Sequence, residues 1–188
     1  MPNFFIFLDQ YNSQIFKKKN RNIGIIYRNY NDSRREKKIV KIAKACKKNR
    51  FQLFVSNNAK LALKVKADGI YIPSFNKTKK FSNLEKKNMM ILGSAHSQKE
   101  IRIKVLQNCE AIFLSPAFHV KKSKKFLDLY KFNYLSHINN INILALGGIT
   151  EKNIRKLKLL HINGFGGIQM FKKKPAFKRP VFIKNNFF

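Results

Sequence analysis

The sequence predicts an α/β fold, in the form of a compact (β/α)8 TIM barrel with a short or irregular eighth helix. Eight short apolar runs recur along the 188 residues, and amphipathic stretches lie between most of them. The runs are continuous rather than alternating, which is typical of parallel strands that are covered on both faces. A doubly wound open sheet is the alternative, but no G-x-G-x-x-G motif follows the first run.

We expect residues 1–188 to form a single domain, whose core spans about residues 4–172 and contains the predicted strands. The tail, residues 173–188, is basic and rich in Phe and shows no helical period, and Pro175 and Pro180 interrupt it. In chain order the predicted strands are Phe4–Leu8, Gly24–Tyr27, Phe51–Val55, Gly69–Ile72, Met89–Gly93, Ala111–Leu114, Ile141–Leu146 and Gly166–Met170.

Helical periodicity connects several of these strands. The clearest case is Ser33–Asn49, where apolar residues share one face and Lys and Arg fill the other. Thr150 is a candidate N-cap for the last predicted helix, whereas the first connection, Asp9–Ile23, does not predict a helix. The further predicted helices are Asn58–Lys66, Gln98–Gln107, Phe126–Ser136 and Thr150–Leu160.

The net charge is the most unusual feature of the composition. Lys and Arg number 40 against 9 Asp and Glu, which gives a formal net charge of +31. Such a surface attracts polyanions, including nucleic acid, anionic lipid and phosphorylated metabolites. However, the enriched residue types also have A/T-rich codons, and the lysines are spread along the chain instead of forming one arm. We therefore favour nucleotide bias over specific nucleic-acid binding as the origin of the charge.

Cysteine content and hydropathy bear on the compartment. Cys46 and Cys109 both fall in predicted helices, and two cysteines without a C-x-x-C pair are too few for a disulfide framework. We expect them to be small buried thiols in a reducing environment. The N-terminal residues lack the basic region of a signal peptide, and no apolar stretch approaches the ~20 residues that span a membrane. These features predict a cytoplasmic protein without a membrane partner.

The predicted barrel places the residues that follow each strand at one end, where a site is expected. These residues include hydroxyls, amides, glycines and basic side chains, and almost no acids. Glycine N–H groups, Arg and Lys are the groups that bind phosphate in proteins. The pattern therefore predicts a phosphate or pyrophosphate site. Its candidate residues are Arg28, the hydroxyl residues at the strand ends, the lysines after the sixth strand, the Gly147-Gly148 pair and the glycines of the last strand.

Each candidate also has an ordinary structural explanation. A Gly-Gly pair often forms a turn, and a lysine in a loop is usually solvated. Arg28 could pair with one of the few acids, and His96 and His119 more often cap or pack than catalyse. Only the meeting of several candidates at one barrel end would favour phosphate binding.

Five segments of the chain form a pattern that extends over about Phe4 to Phe171. The segments are LALGGITEKNI with NGFGGI (Leu144–Ile154 and Asn163–Ile168), LALKVKADGIYI (Leu61–Ile72), ILGSAHS (Ile91–Ser97), LSPAF (Leu114–Phe118) and IIYRNY (Ile25–Tyr30). By their order and spacing they resemble the thiamine-phosphate synthase and TenI family. The resemblance implies a (β/α)8 barrel in thiamine biosynthesis. It would join hydroxymethylpyrimidine diphosphate to a thiazole phosphate and release pyrophosphate, whose charge Mg²⁺ would bridge.

The resemblance also implies roles for individual residues. Arg28 and Ser94 match pyrophosphate-binding positions, and Gly147, Gly148 and Gly167 match the backbone that holds the thiazole phosphate. Other positions depart from the family pattern. The Gln that contacts the pyrimidine is replaced by Ile26, and the Lys two residues after the Arg is replaced by Tyr30. The Asn-Asp pair after the third strand is replaced by Ser56-Asn57, and the second metal-binding Asp is replaced by Asn76.

The loss of both aspartates bears on the cofactor, because a neutral amide is a poor Mg²⁺ ligand beside a carboxylate. We therefore assign no metal ligand and expect a variant that depends weakly or not at all on Mg²⁺. Lys122, in the Lys-rich segment after the sixth strand, could neutralise pyrophosphate directly.

We favour an enzyme of the thiamine-phosphate synthase type, acting on small phosphorylated pyrimidine and thiazole substrates. The first alternative is a catalytically degenerate barrel that binds a phosphorylated ligand, which Asn57 and Asn76 would favour. A basic nucleic-acid-binding protein ranks last, because it predicts one contiguous basic face with interleaved aromatic residues.

Overall fold

The computed structural model describes residues 1–17, 22–30, 34–120 and 126–167. Eight parallel strands close into a barrel in chain order, and β8 pairs with β1. The predicted barrel is therefore confirmed. The strands are β1 (Phe4–Leu8), β2 (Ile23–Tyr27), β3 (Gln52–Ser56), β4 (Gly69–Ile72), β5 (Met90–Ala95), β6 (Ala111–Leu114), β7 (Asn142–Leu146) and β8 (Gly164–Gly167).

The strand bounds differ from the predicted ones by at most two residues where both can be compared. The predicted end of the last strand, the eighth helix, the tail and Lys122 lie outside the described residues. Continuous apolar runs form these strands because both faces are covered. One set of side chains packs against the helices, and the alternate set fills the interior of the barrel.

Aromatic rings dominate that interior. Phe5, Phe7 and Phe113 meet edge to face, with ring centroids 5.1 and 5.3 Å from the Phe113 ring. Small residues on neighbouring strands make room for them. A Cβ at Gly24 would lie 2.5 Å from the Phe5 ring, and one at Gly166 would lie 2.9 Å from Phe7. The core is therefore built from paired large and small residues.

Four α-helices and short 3₁₀ segments connect the strands in the described parts of the chain. The helices are α1 (Arg35–Asn49), α2 (Ala59–Lys64), α3 (Gln98–Leu106) and α4 (Leu129–His137), and the 3₁₀ segments are Ile15–Lys17, Ser82–Lys87 and Ile154–Leu159. The helix in Ser33–Asn49 is confirmed, as is the lack of an α-helix in the described part of the first connection. Within the described ranges, no helix has both the length and the apolar character needed to cross a bilayer.

The prediction of an α-helix over Thr150–Leu160 is wrong, because only Ile154–Leu159 winds, and it does so as a 3₁₀ helix. Thr150 is not its N-cap. Instead, its N–H donates to Asn153 Oδ1 at 2.7 Å, and Asn153 Nδ2 donates to Gly148 O at 2.8 Å. These side-chain bonds stabilise a turn that competes with the first helical turn.

The prediction that both cysteines lie in helices is correct only for Cys46. Cys109 follows α3, after Asn108 has taken a left-handed conformation with φ of 57° that turns the chain towards β6. Both thiols are free and buried as expected, and burial raises the pKa of each to about 12.

Candidate functional site

A cavity of about 690 Å³ opens at the carboxyl ends of the strands. Arg28 lies just after β2, Ser94 near the end of β5 and Gly147 just after β7, and all three line this cavity. Tyr30 and Tyr71 line it as well. Predicted site residues that are far apart in the sequence therefore meet at one end of the barrel.

Arg28 is held at the wall by Asp9, the residue that follows β1. Its Nε donates to Asp9 Oδ1 at 3.2 Å and its Nη2 donates to Asp9 Oδ2 at 3.3 Å. The pair is about one third exposed, so the guanidinium is oriented by a carboxylate while remaining in contact with the cavity. The prediction that Arg28 could pair with an acid is thus confirmed, and Asp9 is its partner.

Ser94 lies deep in the cavity beside Tyr71, and both side chains are buried. Burial raises the pKa of the Tyr71 phenol far above its ordinary value, and the hydrogen bond with the Ser94 side chain opposes that rise. The phenol is therefore neutral at physiological pH, and Tyr71 and Ser94 contribute uncharged hydroxyl groups to the cavity wall.

Asn57 and Asn76, which follow β3 and β4, contact each other through their side-chain amides. Asn76 Nδ2 donates to Asn57 Oδ1 at 2.5 Å, and Asn76 Oδ1 accepts the N–H and the hydroxyl of Thr78, both at 2.9 Å. Both polar atoms of the Asn76 amide are thus bonded within the protein. Neither asparagine is among the described residues that line the cavity.

This donor set does not fit Mg²⁺. The amide that faces Asn57 presents an NH₂ group, which cannot ligate a cation, and the amide oxygen of Asn76 is already taken by Thr78. Asp9, the carboxylate at the cavity, is paired with Arg28. Within the described parts of the chain, no three His, Cys, Asp or Glu residues are grouped so that they could hold a metal ion.

Three further positions that depart from the family pattern have structural partners. Ile26 is fully buried in the barrel interior and is not among the described residues that line the cavity. The Tyr30 hydroxyl lies 2.8 Å from Ser56 Oγ, and Ser56 is itself buried. Burial raises the pKa of Tyr30, while the Ser56 hydrogen bond and the nearby Arg28 and Arg35 charges lower it.

Gly147 and Gly148 allow two loops to approach each other closely. Both have positive φ, 90° and 71°. A Cβ at Gly148 would lie 2.3 Å from the carbonyl oxygen of Phe118, in the segment after β6. Gly147 lines the cavity, whereas Gly148 and Gly167 do not, and Gly167 pairs with Ile6 in the barrel wall. The α-helix N-terminus expected after the Gly-Gly pair is absent, since only a 3₁₀ segment follows it in the described chain.

His96 also lines the cavity, although sequence reasoning assigned it a capping or packing role. Its Nδ1 lies 2.8 Å from Ser115 O, and its Nε2 lies 3.2 Å from Ser74 Oγ. The ring therefore bridges the ends of β4 and β6, next to its own strand β5. Its position directly after β5 is the signal that could have marked it. His119 packs against Phe126, with ring centroids 6.2 Å apart, and is not among the described cavity-lining residues.

Comparison with known proteins places this geometry in context. The model of a family described as thiamine monophosphate synthase matches residues 17–171. A thiamine-phosphate synthase of Prochlorococcus marinus subsp. pastoris is 33% identical over 68% of this chain and 37% of its own length. That of a second strain of Prochlorococcus marinus is 31% identical over 62% of this chain and 35% of its own length. This chain thus spans just over a third of the length of these curated relatives.

A solved structure shares the fold. A thiamine phosphate pyrophosphorylase from Pyrococcus furiosus superposes with a TM-score of 0.71, covering 88% of this chain and 84% of its own. The sequence identity is 17%, so this similarity concerns the fold alone.

Proposed function

Because this chain belongs to the thiamine monophosphate synthase family, we propose that it joins hydroxymethylpyrimidine diphosphate to a thiazole phosphate and releases pyrophosphate. The observation that carries this proposal is the cavity of about 690 Å³ on which Arg28, Ser94 and Gly147 meet. Small-molecule sites typically measure about 300–1,000 Å³, so the cavity has the size of such a site.

In the proposed reaction, the bond between the pyrimidine methylene carbon and the diphosphate oxygen breaks, and the leaving pyrophosphate takes the electron pair. The thiazole nitrogen then forms a bond to that carbon. The main task of the protein is to stabilise the charge of the leaving group. Arg28 supplies a guanidinium that Asp9 already orients, and Ser94 supplies a hydroxyl donor.

Mg²⁺ enters no step of this proposal, because Asn57 and Asn76 do not offer the ligands that it prefers. Basic side chains would replace part of its charge, and Lys122 is our candidate for a further contact to pyrophosphate. Gly147 would present its backbone to the thiazole phosphate, which its place in the cavity wall supports. Gly148 would act indirectly, by holding the loop after β6 in place.

We also propose that the reaction takes place in the cytoplasm. Cys46 and Cys109 are both free and buried, which suits a reducing compartment.

A product assay tests the activity. The purified protein is mixed with both substrates, with Mg²⁺ or with a chelator, and thiamine phosphate is measured by mass. We expect product in both conditions, and we expect Arg28→Ala to lower kcat/KM by about 100-fold or more. Arg102→Ala is the matched control, since Arg102 is exposed on α3 and is not a cavity-lining residue.

One other function has an observation in its favour. The amide pair of Asn57 and Asn76 fits a barrel that binds a phosphorylated ligand without turning it over. That protein would bind the thiazole phosphate but would yield no product in either condition. If product forms with Mg²⁺ but not with the chelator, the protein is a synthase, and only the proposal that it works without Mg²⁺ is overturned.

A further inference from the structure

The rim of the cavity carries two aromatic side chains that the fold leaves uncovered. Phe75 is 65% exposed and Tyr30 is 39% exposed, and both line the cavity. Their ring centroids are 5.9 Å apart and their planes are inclined by 75°, so the rings meet edge to face. Exposed aromatic rings that are grouped at a cavity mouth are typical of a surface that a ligand covers.

Tyr30 is fixed from behind. Its hydroxyl lies 2.8 Å from Ser56 Oγ, and the Arg35 guanidinium carbon lies 5.8 Å from the centre of its ring. Arg35 is in turn held by the backbone, because its Nη2 donates to Ser56 O. The Tyr30 ring is therefore oriented before any ligand arrives, which lowers the entropy lost on binding.

Phe75 is fixed through its backbone. The Lys104 ammonium donates to the carbonyl oxygens of Pro73 and Asn76, at 2.8 and 2.7 Å, and these residues flank Phe75 on both sides. Gln107 Nε2 donates to the same Asn76 oxygen at 3.0 Å. The short loop is thus anchored below, while the Phe75 ring points to the side that solvent reaches.

We propose that Tyr30 and Phe75 form a subsite for the planar heteroaromatic ring of a diphosphate ester whose diphosphate lies at Arg28. Arg28 lines the same cavity as the two rings and supplies the charge that complements a diphosphate. Because the two ring planes are inclined by 75°, they offer a heterocycle one apolar face and one edge, which recognise it by stacking and edge contact without hydrogen bonds. This inference rests on the proposed function, because there the ring is the pyrimidine.

Binding measurements by calorimetry on the full chain test the subsite. The probes are hydroxymethylpyrimidine diphosphate, which carries the ring, and inorganic pyrophosphate, which does not. We expect Phe75→Ala to weaken binding of the first probe by about tenfold and binding of the second by less than about twofold. Phe75→Tyr keeps the ring and should retain the wild-type affinity. Tyr130→Ala is the control, since Tyr130 is 90% exposed on α4 and is not a cavity-lining residue.

The results separate this inference from the proposed function. The subsite is wrong if the wild type binds the two probes equally, or if Phe75→Ala weakens both to the same extent. It is also wrong if Phe75→Ala keeps the full affinity for the ring-bearing probe, even when the wild type makes thiamine phosphate. If the wild type makes no thiamine phosphate but Phe75→Ala selectively loses the ring-bearing probe, the proposed function fails and the subsite stands.

Discussion

Lys104, on α3, is fully buried and is held by neutral oxygens rather than by a carboxylate. Its Nζ donates to Pro73 O, Asn76 O and Gln107 Oε1, at 2.8, 2.7 and 2.9 Å. Three acceptors match the three donors of an ammonium group. Burial lowers the pKa of Lys104 to about 8, so the ammonium still predominates at neutral pH. The structure therefore keeps a cation inside the protein by surrounding it with amide oxygens.

The shifted pKa of Lys104 predicts how stability depends on pH. Its folded pKa of about 8 lies below the ordinary value of 10.5, so between these values the unfolded chain binds more protons than the folded one. The free energy of unfolding must therefore rise with pH between about 8 and 10.5. The stability that Lys104 gains at high pH is lost as pH falls towards about 8. We expect the free energy of unfolding of the wild type to rise by about 2 kcal/mol from pH 8 to pH 10, relative to Lys104→Met.

Urea unfolding of both proteins at several pH values measures this difference. Other groups that titrate in this range contribute nearly equally to the two proteins and cancel in the comparison. Parallel curves for wild type and Lys104→Met would show that the buried ammonium is not coupled to folding.

At the residue scale, the sequence predicted which side chains reach the barrel mouth better than it predicted what they contact. Arg28, Ser94 and Gly147 lie there because each directly follows a strand or lies within two residues of its carboxyl end. The Asn57–Asn76 bond could not be predicted, because it depends on amide orientations that the loops impose. Nor could the burial of Lys104, since periodicity alone predicts that a lysine in a basic helix is solvated.

At the scale of elements, the strands were predictable because both of their faces are buried, so most residues in each run are apolar. The α1 helix was predictable for the complementary reason, since only one of its faces packs and the lysines mark the other. The segment after β7 was not predictable from periodicity, because the Asn153 side chain bonds at Thr150 and Gly148 outweigh it.

The loop between β7 and the following 3₁₀ segment depends on glycine. A Cβ at Gly148 would lie 2.3 Å from Phe118 O, whereas one at Gly147 would lie 3.0 Å from Pro116. Both positions have positive φ, so any side chain also strains the backbone. We expect Gly148→Ala to destabilise the fold by about 2–3 kcal/mol and Gly147→Ala to cost less. Urea midpoints give the order, and equal costs for the two variants would contradict the close contact at Gly148.

At the scale of the whole molecule, the charge and the fold oppose each other. The formal net charge is +31, and 9 Asp and Glu residues are too few to pair with most of the 40 basic residues, even with ion pairs such as Arg28–Asp9 and Lys64–Glu36. Like charges that are brought together in a compact barrel repel one another, and this repulsion is relieved in the unfolded chain. The packing of the aromatic interior and the hydrogen bonds of the closed sheet must therefore outweigh the repulsion between the positive charges on the surface.

This opposition predicts that salt stabilises the protein. The Debye length falls from about 30 Å at 0.01 M to about 10 Å at 0.1 M and about 3 Å at 1 M ionic strength, so NaCl screens repulsion between distant lysines. The two charges of the Arg28–Asp9 pair are only 3.2 Å apart, close to the Debye length of about 3 Å at 1 M. Salt therefore weakens their attraction less than it weakens the repulsion between distant lysines. We expect the free energy of unfolding to rise with NaCl over this range and to flatten once distant charges are screened. Thermal unfolding across the series measures it. A monotonic fall would mean that attractive pairs dominate, and that the lysines are arranged for specific contacts rather than spread by composition.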